Sequence, residues 1–381
     1  MLPRPASHLR GCILYFFLFM SHGSVSTFLP LLWRDKGFSG EHPEVGMLAA
    51  IRPLIFIFVA PAVCTLADKS GKQQQVFYLL LMGYAVTRPS LLVAGSVFFV
   101  AVLEALTSIS QTPISSLVDA AVRHSFGAGG YGKQRTWGAL GYGMASLLGG
   151  IVYDAGSGSY AGVMVVFVTV TVVSLIAATG VPVGTGVDVA GAQTSAGQRW
   201  VNRHVDSSTP GVEMIAEKAG TEEGANGRRD IQTLPPPHGD EKEGHMLPAV
   251  WAMLGTARTA SFFMAVVLSG MGAGVIDTFL FIRLVELGGS KKLIGLARLT
   301  MCLAEMPFFF MSGHLINRMG VRSMAALAQT ALIARFLYYS VLREPWWVLP
   351  AEVLHGLTFA AMWAATVAYA QEIAPGTFAR S

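Results

Sequence analysis

The chain has 381 residues, of which 52% are hydrophobic and only 13% charged, with a net charge of +4 and a mean hydropathy of +0.51. A water-soluble globular domain carries about 25% charged residues, so this composition excludes one. The small positive balance holds no Lys/Arg cluster of the kind that binds nucleic acid. Cys12, Cys64 and Cys302 form no CxxC and read as small packing residues rather than a redox motif.

The apolar residues run in stretches of about 20, the length at which a helix crosses about 30 Å of hydrocarbon. Backbone N–H and C=O groups in lipid must pair within their own segment, so the fold class is all-α, a polytopic membrane helical bundle. In chain order, spans are predicted over 11–32, 46–67, 75–94, 96–119, 135–153 and 160–182. The first follows a short basic leader, Arg4 and Arg10, but is too long for a signal-peptide core and precedes no A-x-A cleavage site, so it is expected to be retained. Residues 183–247 turn to Gly, Pro, Ser, Glu and Arg, as in Thr221-Glu222-Glu223-Gly224 and Pro235-Pro236-Pro237. They read as a disordered linker that cannot bury enough apolar surface to offset its ordering entropy. Spans resume over 257–282, 292–313, 322–342 and 346–373. The domain organisation is a six-helix half over 1–182, the linker, and a second half over 248–381 with four helices. With the N-terminus and the linker cytoplasmic, Arg4, Arg10, Lys69, Lys72, Arg123, Lys133, Arg318, Arg322 and Arg380 fall inside, against Arg34, Lys36, Lys291, Lys292 and Arg343 outside.

The two halves repeat each other at an offset of about 250 residues. Thr27-Phe28-Leu29, Asp35 and Gly37 recur as Thr278-Phe279-Leu280, Glu286 and Gly288. Leu66-Ala67-Asp68-Lys69-Ser70-Gly71 recurs as Leu315-Ile316-Asn317-Arg318-Met319-Gly320; Arg88 answers Arg335, and Glu104 answers Glu352. Two structurally equivalent helical halves are a transporter's architecture.

The run from Leu66 to Lys72 resembles the major facilitator superfamily loop signature G-x-L-A-D-[RK]-x-G-[RK]-[RK], with Cys64 for the first Gly and Gln73 for the last base. The copy from Gly313 to Gly320 keeps the Gly and has Asn for Asp. Tyr131-Gly132-Lys133-Gln134-Arg135-Thr136-Trp137-Gly138, with Pro345-Trp346-Trp347 and Leu354-His355-Gly356-Leu357-Thr358-Phe359, is similar to the branch of domain-containing protein 6 and the lactose and nucleoside symporter-like proteins. The resemblance implies a carrier with twelve spans. The repeat offset puts the partners of spans five and six beyond Ser381, so the second half is expected to lack its last two helices. It also implies a gating loop of Asp68, Gly71, Lys72, Asn317, Arg318 and Gly320, in which Asp68 meets the positive end of helix eleven.

An ionisable side chain in mid-span costs about 2.5–3.5 kcal/mol even on the lenient insertion scale, so such residues are the candidates for function. Arg88 with Glu104, and Arg335 with Glu352, read either as coupling sites or as fixed ion pairs between helices. Glu352 and His355, three residues apart on one helix face, read as a proton-exchanging pair. Asp277 reads as a cavity-lining acid or as the partner of Arg298 or Arg52, and His22 as a cavity residue or a packing histidine. Gly138, Gly141, Gly143, Gly149 and Gly150 read as a close-packing stripe on span five. No cofactor, metal or nucleic acid is expected. The expected partners are a small polar solute, protons as coupling ion and the lipid bilayer. The function so read is secondary active transport, by proton-coupled symport with alternating access. The alternatives are a receptor-like or scaffold membrane protein without transport and, with least support, a polytopic enzyme.

Overall fold

The computed structural model describes residues 5–38, 44–181 and 257–373; the linker predicted over 183–247 lies outside them. Among the described residues the only regular structure is helical. The first half consists of α1 (Pro5–Ser26), α2 (Leu29–Asp35), α3 (Glu44–Ser70), α4 (Gln73–Ser90), α5 (Val97–Ala155) and α6 (Tyr160–Ala178). The second begins with α7 (Ala257–Val275), which passes through a π-helical turn (Ile276–Leu280) into α8 (Phe281–Glu286), and continues with α9 (Lys291–Met319) and α10 (Val321–Ser340). The last predicted span is not one uniform helix. It starts as a 3₁₀ turn (Pro345–Trp347), becomes α11 (Val348–Glu352), widens into a π turn (Gly356–Ala361) and ends as α12 (Met362–Ile373).

The sequence repeat is also a backbone repeat. The first Thr-Phe-Leu copy falls where α1 breaks before α2, which Pro30 helps to start. The second falls in the π turn between α7 and α8. Gly71 and Gly320, which close the two signature loops, have φ of 64° and 79°, in the left-handed region where a missing Cβ removes the steric cost. Lys69 and Arg318 lie in the last turns of the helices before those glycines, where a cation complements the helix dipole.

Helical backbone continues through α5 for 59 residues, which would reach about 88 Å if straight. It folds back instead. Arg135 Nη1 lies 3.8 Å from Asp119 Oδ2, a pair that would stand about 24 Å apart along a straight helix. Tyr15 of α1 donates to Asp119 and also lies 3.3 Å from where a Cβ on Gly138 would sit. The predicted spans 96–119 and 135–153 are therefore the two arms of α5, and the connection between them is helical rather than an open loop.

The second arm of α5 is the seam of the molecule, with α1 on one side and α9 on the other. A Cβ at Gly141 would overlap the Phe16 carbonyl of α1, and one at Gly150 would overlap the Lys291 carbonyl at the start of α9. Only small residues permit such backbone approach. At the same end, the Lys292 N–H donates to Asp154 Oδ2 at 2.9 Å, so a carboxylate from the first half caps the N-terminus of α9. Asp35 joins this junction, accepting from Tyr160 at 2.7 Å with Lys291 Nζ 3.9 Å away.

Large apolar side chains such as Phe58, Val86, Phe98 and Leu337 stand exposed on the outside of the bundle, a surface suited to lipid and not to water. Among the described residues seven helical segments, Leu9–Asp35, Glu44–Ser70, Val97–Val122, Tyr160–Ala178, Thr259–Glu286, Lys291–Met311 and Pro345–Tyr369, are long and apolar enough to cross a membrane. The remaining three predicted spans fall short of that measure: α4 and α10 each carry a buried arginine, and the second arm of α5 is rich in glycine. Length and composition thus support seven of the ten spans expected, and the six-plus-four division does not follow from them.

Replacing Gly150 by Leu is expected to destabilise the α5–α9 seam by about 1–3 kcal/mol, the usual effect of overpacking. Gly274→Leu, at a helical site where a Cβ meets nothing within 4 Å, is expected to cause no loss of stability and to gain up to about 1 kcal/mol from helix propensity. Thermal unfolding of the two variants in detergent checks the contrast.

Candidate functional site

In the first half, Arg88 on α4 is fully buried. Its Nη1 donates to Glu104 Oε2 at 2.8 Å and its Nη2 to Gln111 Oε1 at 3.0 Å, both on the first arm of α5. The guanidinium also lies 5.5 Å from the centre of the Tyr84 ring, so charge, hydrogen bonds and an aromatic face replace the lost hydration. His22 packs edge-on against Tyr84 with ring centres 5.2 Å apart. It sits in the interior of this half as a packing histidine, with Nδ1 3.3 Å from Ser21 Oγ, and does not line the central cavity.

The second half repeats the ion pair and adds to it. Arg335 on α10 donates from Nη2 to Glu352 Oε2 at 2.7 Å, from Nε to Tyr339 Oη at 3.0 Å and from Nη1 to Thr358 Oγ1 at 2.9 Å. Tyr339 in turn donates to Glu352 Oε1 at 2.7 Å. Nη1 also lies 3.0 Å from His355 Nδ1. A guanidinium can only donate, so Nδ1 accepts and the ring proton belongs on Nε2. That nitrogen is 3.0 Å from Glu305 Oε1 of α9, to which it donates.

This geometry corrects one sequence expectation. Glu352 and His355 share a helix face but do not form the direct proton-exchanging pair. Arg335 stands between them and Tyr339 occupies the second Glu352 oxygen, so the carboxylate that meets His355 is Glu305.

A cavity of about 360 Å³ lies between the halves. Arg52, Arg135 and Tyr142 line it from the first half; Asp277, Arg298, Glu305 and His355 line it from the second. Asp277 Oδ1 is 2.8 Å from Arg298 Nη2, and more than half of the Asp277 side chain is open. Asp277 thus lines this cavity and pairs with Arg298. The Arg298 guanidinium lies 4.9 Å from the Phe281 ring centre, and Arg135 lies 4.8 Å from that of Trp363. A second, mostly apolar cavity of about 260 Å³ within the second half is reached by Asp277, Arg335, His355 and Thr358. Asp277 sits in one π turn and His355 immediately precedes the other. Such turns widen a helix and occur often at functional sites.

Of the residues picked from sequence, Asp277 and His355 meet at the central cavity, and Arg335 reaches the smaller one. Arg88, Glu104 and Glu352 lie behind the walls. Asp68, Gly71, Lys72, Asn317, Arg318 and Gly320 sit exposed at the ends of α3 and α9 and the turns that follow them, where Asp68 Oδ1 accepts from Gln73 at 3.2 Å. Sequence reading missed Glu305, and took Arg298 and Arg52 only as possible partners of Asp277. The test that found Arg88, an ionisable residue in mid-span, finds all three when it is applied to spans 46–67 and 292–313.

Residues 8–380 match the MFS_1 like family. The chain belongs to that family. Maltose permease of Geobacillus stearothermophilus is 25% identical over 369 residues, covering 95% of this chain and 78% of the permease. Major facilitator superfamily domain-containing protein 6-like protein B of Xenopus laevis is 28% identical over 151 residues, which are 39% of this chain and 25% of that protein. The crystal structure of the nucleoside transporter NupG superposes with a TM-score of 0.66 at 14% identity, over 98% of this chain and 84% of NupG. The fold is therefore that of the major facilitator superfamily. The protein is a multi-pass membrane protein of a transporter family and not an enzyme.

Removing one member of a buried ion pair strands the other. Glu352→Leu alone is expected to destabilise the protein by about 3–5 kcal/mol, whereas Arg335→Leu with Glu352→Leu recovers part of that loss. Denaturant unfolding in mixed micelles, taken as a double-mutant cycle, measures the recovery.

Proposed function

We propose that this MFS_1 like protein is a secondary active transporter that moves a small polar solute by alternating access, coupled to protons. The observation that carries the reading is the central cavity, whose ionisable lining comes from both halves. Rocking the halves about it would change which side of the membrane it opens to. The glycine seam of α5 against α1 and α9, together with the Asp154 cap on α9, supports a contact that can part and reform at one end. With the N-terminus and residues 183–247 cytoplasmic, as the Lys/Arg distribution favours, that end faces outward.

The cavity's charged groups can hydrogen-bond hydroxyls, and its aromatic walls, Tyr142, Phe309 and Phe359, can stack on a ring. A sugar or nucleoside fits that chemistry, and the names of the maltose permease and the nucleoside transporter support it. Proton coupling rests on His355. A second proton must enter at Nδ1, where it would oppose the N–H of Arg335. Protonation therefore breaks the Arg335–His355 bond while keeping His355 on Glu305. One proton thus changes the contact between α10 and the segment from α11 to α12, next to the solute cavity.

Uptake of labelled maltose and of labelled uridine into proteoliposomes tests this. An inward proton gradient is expected to raise the initial rate for at least one of them by about tenfold or more, equivalent to about 1.4 kcal/mol off the activation barrier. His355→Gln and Glu305→Gln are expected to abolish gradient-driven accumulation while keeping exchange between equal solute pools. Equal rates with and without the gradient contradict proton coupling, and no uptake of small polar solutes contradicts transport.

A further inference from the structure

A third cavity, of about 190 Å³, opens between α3 and the first arm of α5, and its polar lining is Arg52, Gln111, Thr112 and Ser115. No acidic side chain lines it. Arg52 also lines the central cavity, yet among the described residues no carboxylate pairs with it. Arg52 is exposed, so its guanidinium is open to a ligand rather than buried.

The other donors are uncommitted for definite reasons. Gln111 is 1% exposed and its Oε1 accepts from Arg88. Flipping the amide would set N–H against N–H, so the amide orientation is fixed. Gln111 Nε2, a donor only, is left buried with no partner. On the same helix, Thr107 and Ser110 donate to the carbonyls four residues back, at 2.6 and 3.1 Å. Thr112, 5% exposed, does not: its Oγ1 has no partner. Buried donors left unmade destabilise a native structure, so the two that face this cavity, Gln111 Nε2 and Thr112 Oγ1, mark a missing acceptor.

We propose that Arg52, Gln111 and Thr112 form an anion site, taking a group of carboxylate or small inorganic-anion size. The lining offers a guanidinium, an amide N–H and a hydroxyl, with no carboxylate to compete. The volume admits the anion with some of its water, at about 30 Å³ per molecule. An anion free in solution and one carried on an organic solute share this chemistry, and the assay separates these sources. The site goes beyond the transport reading and stands independently of it.

The test is thermal unfolding of the purified full chain in detergent, titrated with sodium acetate, sodium chloride or sodium phosphate, with Arg343→Gln at an exposed loop as the control for general salt effects. The melting temperature is expected to rise and saturate with at least one anion in the wild type and in Arg343→Gln. The midpoint is expected to move by about tenfold or more in Arg52→Gln, and less in Thr112→Val and Arg52→Lys, as the loss of a charge-assisted hydrogen bond requires. Saturation by chloride or phosphate assigns a free inorganic anion; saturation by acetate alone assigns the carboxylate of an organic solute. Arg52→Lys keeps the charge and the fold, so its retained response separates lost binding from misfolding. Identical curves for the wild type and Arg52→Gln, or no saturable rise with any of the three anions, overturn the proposal. Because the assay involves no transport, its failure leaves the transport reading standing, and absence of uptake leaves the anion site standing.

Discussion

A guanidinium inside a membrane bundle must find acceptors for its N–H groups within the protein, and much of this structure is arranged around that requirement. Arg335 meets it with a carboxylate, a tyrosine, a threonine and a histidine drawn from α10 and the segment that follows. Arg88 meets it in part, with a carboxylate and an amide from the first arm of α5 for its two terminal nitrogens, while Nε is left without a partner. Each set ties two neighbouring helices at a fixed register. Replacing one acceptor would leave a buried charge exposed to an apolar interior, which is far less favourable than replacing the whole set.

The two halves satisfy the same requirement differently, and the difference points toward function. In the first half, the arginine's acceptors end inside the half. In the second, the hydrogen bonds run on through His355 to Glu305 and so to the central cavity. The direction of each bond follows from the fact that arginine cannot accept. A neutral imidazole with its proton on Nε2 is the only form that satisfies both neighbours, and an added proton has nowhere to go without breaking one bond. An ion pair that ends inside the first half is, in the second, joined through His355 to a carboxylate at the cavity wall.

Much of the fold was legible in the sequence, because apolar length, the repeat and the loop signatures all report local chemistry. Thr27 and Thr278 marked equivalent helix irregularities, and Gly71 and Gly320 marked equivalent left-handed turns. Arg88 could be matched to Arg335, and Glu104 to Glu352, by offset alone. What could not be read was which helix faces which. Glu305 meets His355 only because α9 packs beside the π turn after His355, and no spacing along one helix encodes that. The Glu352–His355 pairing failed for the same reason: i to i+3 proximity ignores a third side chain that inserts between the two. Arg52 belonged to the legible class as an ionisable residue in mid-span, but that no carboxylate among the described residues pairs with it is a fact of three dimensions.

The most direct measurement is the ¹⁵N NMR signature of His355, obtained as the difference between spectra of histidine-labelled wild type and His355→Gln in lipid at neutral pH without solute. The account predicts a neutral imidazole protonated at Nε2, with Nδ1 at the shift of a hydrogen-bond acceptor. An imidazolium, or a ring protonated at Nδ1, would contradict it, because neither can accept the hydrogen bond that Arg335 directs at that nitrogen.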